Sequence, residues 1–64
     1  MTINGEKMDF NEGITIKELI KKLNLNPETI VVEVNLNIIS KSEYAHRKLS
    51  KEDRIEIINF VGGG

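Results

Sequence analysis

The sequence is 64 residues long, which is enough for one small domain but leaves little room for an internal catalytic cleft. Nine Lys and Arg against ten Asp and Glu give a formal net charge of -1, so the chain offers no basic field for nucleic acid or an anionic membrane. The sequence contains no cysteine, which excludes a disulfide, a thiolate metal site and a cysteine nucleophile. It contains one histidine, which excludes a histidine-based metal centre or catalytic triad in a monomer.

The N-terminal residues predict a β-hairpin. Asn4-Gly5 follows Thr2 and Ile3 and precedes a run that alternates between polar and apolar residues. Asn-Gly is a strong hairpin signal because a type I′ turn needs positive φ at both central positions. The alternation predicts that Met8 and Phe10 face the core, with the polar residues between them in water.

An amphipathic helix is predicted next. Thr15 and Glu18 match a capping box, in which the threonine is the N-cap and the glutamate bonds back to it. The following apolar residues recur at helical spacing and define one buried stripe: Ile16, Leu19, Ile20 and Leu23. Asn24 and then Asn26-Pro27 end the helix, because the residue before proline avoids helical geometry.

The middle of the chain predicts an interior strand and its neighbour. Ile30–Val34 is β-branched and is expected to be a central strand, followed by a turn at residues 35–37 and a short edge strand at Ile38 and Ile39. Residues 42–46 suggest one helical turn that places Tyr44 over the open end of the core. A polar turn at residues 50–53 then leads into the last strand.

The last strand and the glycines after it are the most informative part of the sequence. Residues 54–61 are mostly β-branched or apolar and predict a strand, and residues 62–64 are all glycine. We expect a folded domain over residues 1–61 and a flexible tail of Gly62, Gly63 and Gly64 whose last carboxylate is anionic. Such a tail could enter another protein's active site, although glycine-rich ends are also common as linkers or frayed termini.

The same strand also predicts a docking surface. Alternation directs Ile55 and Ile57 toward the helix, and Ile58 and Phe60 toward the opposite face of the sheet. Large apolar residues on an exposed face beside the tail suggest a contact site that also includes Val61. Scattered surface hydrophobic residues, which are common, are the alternative explanation.

Taken together, these elements predict an α+β fold in which a mixed sheet of four to five strands packs against one main helix. Residues 3–6, 13–16 and 57–64 resemble the ThiS family, the sulfur carrier proteins of thiamine biosynthesis, over essentially the whole chain. The resemblance implies a ubiquitin-like β-grasp fold. It also implies a carrier that acts as the co-substrate of partner enzymes and is not itself an enzyme.

The resemblance further implies the chemistry and the partners. A ThiF-type adenylyltransferase would use Mg-ATP to adenylate the Gly64 carboxylate, and a persulfide sulfur donor would convert the adenylate to a thiocarboxylate. Thiazole synthase would then take the sulfur. No cofactor, metal, nucleic acid or membrane is expected to bind the carrier. The absence of a signal-peptide pattern and of an apolar run near about 20 residues predicts a cytoplasmic protein.

Three other functions remain open from the sequence. A carrier of the MoaD type would deliver sulfur to molybdopterin from a similar fold with a Gly-Gly end. A ubiquitin-like modifier would join the activated Gly64 to lysine side chains. A non-covalent β-grasp interaction module would leave the tail without a chemical role.

Overall fold

The computed structural model describes residues 1–60, which form one sheet with one α-helix against it. The five strands and the helix have the following bounds: β1 Thr2–Ile3, β2 Glu6–Lys7, α1 Ile16–Lys22, β3 Ile30–Val34, β4 Asn37–Ile39 and β5 Arg54–Asn59. Two short 3₁₀ turns occupy Pro27–Thr29 and Lys41–Glu43. Val61 and the three glycines lie outside the described residues, so the boundary between domain and tail stays a prediction.

The sheet is mixed, in the order β2-β1-β5-β3-β4. The pairing of β1 with β5 is parallel, and the other pairings are antiparallel. This arrangement confirms the predicted mixed sheet with one main helix. The predicted central strand, β3, is an interior strand, but the middle position belongs to β5, which pairs with both β1 and β3.

The N-terminal hairpin is confirmed, with a shorter second strand than the alternation suggested. Asn4 and Gly5 have φ values of 51° and 81°, as a type I′ turn requires. Strand β2 ends at Lys7, and two main-chain hydrogen bonds between Met1 and Met8, at 2.9 and 3.2 Å, continue the pairing by one residue. Met8 and Phe10 nevertheless lie half-buried against the core, on the side that the alternation predicted.

The helix begins at the predicted capping box. The Glu18 backbone N–H donates to Thr15 Oγ1 at 3.1 Å, and the Thr15 backbone N–H donates to Glu18 Oε1 at 2.9 Å. The bond from the Thr15 backbone, followed by the bond that the Thr15 hydroxyl donates to Glu18 Oε1 at 3.1 Å, holds the pKa of the Glu18 carboxyl below its ordinary value. The helix ends at Lys22 with Leu23 as its C-cap, and Asn24 then takes a left-handed φ of 58°.

The core lies between α1 and the inner face of the sheet. Its largest fully buried side chains are Ile16, Leu19, Val32, Val34, Leu49 and Ile55. Burying each such side chain contributes about 1.5–3 kcal/mol to folding, which makes this layer the main source of stability. Tyr44 is buried as predicted, although the turn beside it begins at Lys41, one residue before the predicted helical turn.

Candidate docking face and carboxyl end

The outer face of the sheet, opposite α1, carries the candidate site. Ile55 on β5 is fully buried and Ile57 is half-buried against the core. Ile58 is 50% exposed and Phe60 58% exposed, as the alternation predicted. Both therefore remain available for contact with another protein.

Strand register extends the apolar surface beyond β5. Val31 on β3 pairs directly with Ile58, so both side chains lie on the outer face. Glu33 is two residues beyond Val31 and therefore shares that face. Ile38 on β4 pairs with Glu33 and belongs to the same face. Val31 is half-buried, whereas Ile38 is 71% exposed. We call Val31, Ile38, Ile58 and Phe60 the docking face.

Sequence reasoning missed Val31 and Ile38. The adjacent residues Ile38 and Ile39 are chemically alike, and only the register of β4 against β3 decides which of them is buried. Ile39 pairs with Val32 in the core, where it is 6% exposed, and Ile38 therefore faces outward. The run of β-branched residues in β3 likewise conceals the outward position of Val31.

Two carboxylates lie beside the docking face. Glu33 and Glu56 are direct cross-strand partners and share the outer face. Like charges directly opposite each other destabilise a sheet. This juxtaposition gives the docking face an acidic side, which a basic group on a partner would complement.

The strand that leads to the glycines is fixed on both of its edges. On one edge, the Ile57 backbone N–H donates to Asn4 Oδ1 at 2.7 Å, and on the other, the Phe60 backbone N–H donates to the Thr29 carbonyl at 3.0 Å. The bond to Asn4 joins residues 53 positions apart in the sequence. Strand β1 is only two residues long and pairs with β5 as far as Ile55, so this side-chain bond continues the hydrogen bonding on that edge of β5 to Ile57. The predicted site residues Val61, Gly62, Gly63 and Gly64 follow this anchored point and lie outside the described residues.

Neither a cluster of metal-ligating side chains nor a membrane-spanning helix is found among the described residues. Within residues 1–60, no group of three or more His, Cys, Asp or Glu side chains is placed to hold a metal ion. No helix in this part of the chain is long and apolar enough to cross a membrane.

Comparison with known protein families identifies this arrangement. The model of the ThiS family matches residues 1–64. The chain belongs to the ThiS family. It is 35% identical over 65 residues to the sulfur carrier protein ThiS of Bacillus subtilis, an alignment that covers 100% of this chain and 98% of that protein.

Solved structures support the same assignment. The crystal structure of a thiamine biosynthesis protein, ThiS, from Geobacter metallireducens superposes with a TM-score of 0.81 at 27% identity and covers 98% of this chain and 96% of that chain. This likeness confirms the β-grasp fold. The Bacillus subtilis relative is a sulfur carrier protein, and the Geobacter metallireducens structure is that of a thiamine biosynthesis protein.

Other relatives are much longer proteins. The chain is 38% identical over 64 residues to a thiazole synthase of Paramagnetospirillum magneticum and 36% identical over 62 residues to one of Magnetococcus marinus. It spans about a fifth of their length, 20% and 19% respectively. In those proteins, a ThiS-like segment is part of the same polypeptide as the rest of the thiazole synthase.

Proposed function

We propose that this chain is a sulfur carrier of thiamine biosynthesis whose Gly64 carboxylate is converted to a thiocarboxylate. The observation that carries the proposal is the end-to-end match with the Bacillus subtilis carrier, which covers 100% of this chain and 98% of that protein. A carrier function needs little from the fold itself beyond a stable domain, a surface for partners and a reactive end.

Activation of the carboxylate is assigned to a partner adenylyltransferase of the ThiF type. A Gly64 carboxylate oxygen attacks the α-phosphorus of Mg-ATP, and pyrophosphate leaves. The resulting acyl-adenylate has a good leaving group, so the terminal sulfur of a persulfide donor can displace AMP and form an acyl disulfide. A thiol reductant then attacks the donor's sulfur in that S–S bond, which leaves the thiocarboxylate on Gly64 and a disulfide between the donor and the reductant. Glycine suits both steps because it has no Cβ to crowd the acyl carbon. Magnesium and nucleotide are bound by the partner and not by this chain.

The sulfur acceptor is assigned to thiazole synthase. The support is the presence of ThiS-like segments within the thiazole synthases of Paramagnetospirillum magneticum and Magnetococcus marinus. A shared polypeptide keeps a donor and its acceptor at high effective concentration, which is an advantage when the two must react repeatedly. A separate carrier needs a binding surface in place of that covalent link.

The docking face supplies a surface for the activating enzyme. Ile58 and Phe60 lie shortly before the tail in sequence, with Val61 between, so an enzyme that holds them has the Gly64 end within about 14 Å, the reach of four extended residues beyond Phe60. A few large side chains that become buried near the centre of a protein interface carry most of its binding energy, and Ile58 and Phe60 are candidates for that role. The Glu33–Glu56 pair beside them favours an enzyme whose facing surface is basic.

The proposal is tested by ATP–pyrophosphate exchange with the ThiF-type enzyme. Ile58→Asp and Phe60→Asp each place a charge in the apolar contact and are expected to raise the KM for the carrier at least tenfold, since losing an interface anchor costs about 2 kcal/mol or more. Leu36→Asp is the matched control, because Leu36 is 80% exposed in the turn between β3 and β4 and lies outside the docking face. Circular dichroism checks that each variant is folded.

Three results would contradict the proposal in different ways. No exchange with the wild-type chain would refute the carrier function. Normal exchange with both docking-face variants would refute the docking face alone. Unfolding of the Ile58 variant would show that this side chain is part of the core, against the 50% exposure found here.

A further inference from the structure

Two asparagines hold the two ends of β5. Asn4 follows β1 and Asn35 follows β3, and both have a φ of 51°, in the left-handed region. Each forms one main-chain and one side-chain hydrogen bond with β5. Asn35 bonds to the first residue of the strand, Arg54, whereas the Asn4 side chain bonds near its other end, at Ile57. Asn4 is therefore the asparagine that lies toward the carboxyl end.

The Asn4 side chain replaces a main-chain carbonyl in the parallel ladder. In such a ladder, the N–H and the carbonyl of one residue bond to the two residues that flank its partner on the neighbouring strand. The register of β1 against β5 places Asn4 opposite Glu56. The Asn4 N–H donates to the Ile55 carbonyl at 2.9 Å, as the ladder requires. The Ile57 N–H donates to Asn4 Oδ1 at 2.7 Å, where a regular strand would offer its carbonyl.

Asparagine meets both requirements of this position. It adopts the left-handed conformation of the hairpin turn more readily than most residues with a Cβ, and its amide oxygen is an acceptor. Glycine would satisfy the turn without supplying an acceptor. Aspartate would satisfy both, because Asp-Gly also forms type I′ turns and a carboxylate accepts hydrogen bonds. The turn and the side-chain bond can therefore be separated by substitution.

The side-chain bond supports the part of β5 that leads to the docking face. Ile57 is adjacent to Ile58, and on the other edge of the strand the Phe60 N–H bonds to a loop carbonyl at 3.0 Å. Strand ends open more readily than strand interiors, because fewer buried contacts hold them. The bond to Asn4 therefore opposes fraying of the segment that presents Ile58 and Phe60 and continues to the carboxyl end.

We propose that Asn4 is a positioning residue for the chemistry at Gly64. It acts through β5, by keeping the docking face and the start of the tail in one geometry for the activating enzyme. This role rests on the proposed function, in which a partner adenylates Gly64. If the enzyme binds only the closed strand end, opening of that end lowers the concentration of competent carrier. The KM then rises, while kcat at saturation stays the same.

Substitutions at the two asparagines provide the test. Asn4→Gly removes the acceptor and retains the turn, whereas Asn4→Asp retains both. Asn35→Gly is the matched control, because Asn35 has the same φ and its Oδ1 accepts from the Arg54 N–H at 2.9 Å, at the opposite end of β5. Each variant is assayed well below its melting temperature, in ATP–pyrophosphate exchange with the ThiF-type enzyme.

The expected result is a change in KM that depends on position and on the acceptor. Asn4→Gly should raise the KM for the carrier about threefold or more and leave kcat within about twofold, since one lost hydrogen bond shifts a local opening equilibrium by about two- to tenfold. Asn4→Asp should restore the KM to within about twofold of wild type. Asn35→Gly should also leave the KM within about twofold, although it lowers the stability of the domain.

Amide hydrogen exchange tests the bond itself, without any partner. In Asn4→Gly, the Ile57 amide should exchange about threefold or more faster relative to the Leu49 amide, which bonds to the Ile14 carbonyl at 2.8 Å in another part of the fold. Equal acceleration of the two amides would show a global loss of stability and would overturn the local role of Asn4.

The kinetic results can also overturn the positioning role. An unchanged KM for Asn4→Gly would do so, as would equal KM increases for Asn4→Gly and Asn35→Gly, because the effect would then follow stability. A KM increase that persists in Asn4→Asp would refute the role of the acceptor. If Asn4→Gly does not fold, the wild-type Ile57 amide decides: protection like that of Leu49 supports the bond, and the exchange rate of an unstructured chain refutes it. A wild-type chain without ATP–pyrophosphate exchange would instead refute the proposed function.

Discussion

Replacing Leu36 with glycine should stabilise the protein. Leu36 occupies the turn between β3 and β4 with a φ of 71°, in the left-handed region that residues with a Cβ rarely adopt. Its side chain is 80% exposed, so its removal sacrifices little buried surface. A left-handed conformation costs an L-residue about 1–2 kcal/mol, and the extra freedom of glycine in the unfolded chain offsets about 0.5–1 kcal/mol of the gain. The net expectation is a stabilisation of about 0.5–1 kcal/mol.

Chemical denaturation and thermal unfolding measure this effect. For a domain of this size, the change corresponds to a rise in Tm of about 4 °C. Leu36→Ala is the first control and should be nearly neutral, because it retains the Cβ. Asn35→Gly is the second, since Asn35 also has a positive φ of 51° but its side chain bonds to Asp53 at 3.0 Å and to the Arg54 backbone at 2.9 Å.

The two glycine variants should therefore change stability in opposite directions. Asn35→Gly should destabilise by about 1–2 kcal/mol through its lost hydrogen bonds. A lower denaturation midpoint for Leu36→Gly than for wild type would refute the reasoning. It would mean that the turn does not hold Leu36 at positive φ, or that the leucine side chain contributes packing that its exposure does not reveal.

Two further predictions concern the polar contacts that fix the loops. Thr15→Ala should cost about 1 kcal/mol by removing the N-cap of α1, while Thr15→Ser should retain most of the stability; equal denaturation midpoints for Ala and wild type would reject the cap. Partial burial raises the pKa of Asp53, but hydrogen bonds from the Ser50 backbone and the Asn35 side chain outweigh it and leave the pKa below the ordinary 3.8. Because the folded-state pKa is the lower one, Asp53 stabilises the protein above pH 3.8, and this contribution disappears as the pH falls through the folded-state value. The stability difference between wild type and Asp53→Asn should shrink over that acidic range, and a difference independent of pH would refute the assignment.

Local sequence signals predicted the elements that depend on neighbouring residues. The capping box of Thr15 and Glu18 and the Asn4-Gly5 turn are complete within four residues, so their chemistry is visible in the sequence. The outward direction of Ile58 and Phe60 also followed from alternation alone, because β5 is long enough to fix its own period.

Contacts between distant segments could not be predicted in this way. The addition of Val31 and Ile38 to the docking face depends on strand register, and the bond from Ile57 to Asn4 joins residues 53 positions apart. The sequence predicted a turn at residues 35–37 but not its backbone conformation. Left-handed positions in turns are usually occupied by glycine or asparagine, so nothing in the sequence indicated that Leu36 has a positive φ.

The intact mass of the protein tests the central claim most directly. After incubation with the ThiF-type enzyme, Mg-ATP, a persulfide donor and a thiol reductant, the chain should gain the mass difference of one oxygen replaced by sulfur, and fragmentation should place the change at Gly64. A variant with one alanine added after Gly64 should stay unmodified. An unchanged mass for the wild-type chain, or a sulfur located at any other residue, would contradict the account.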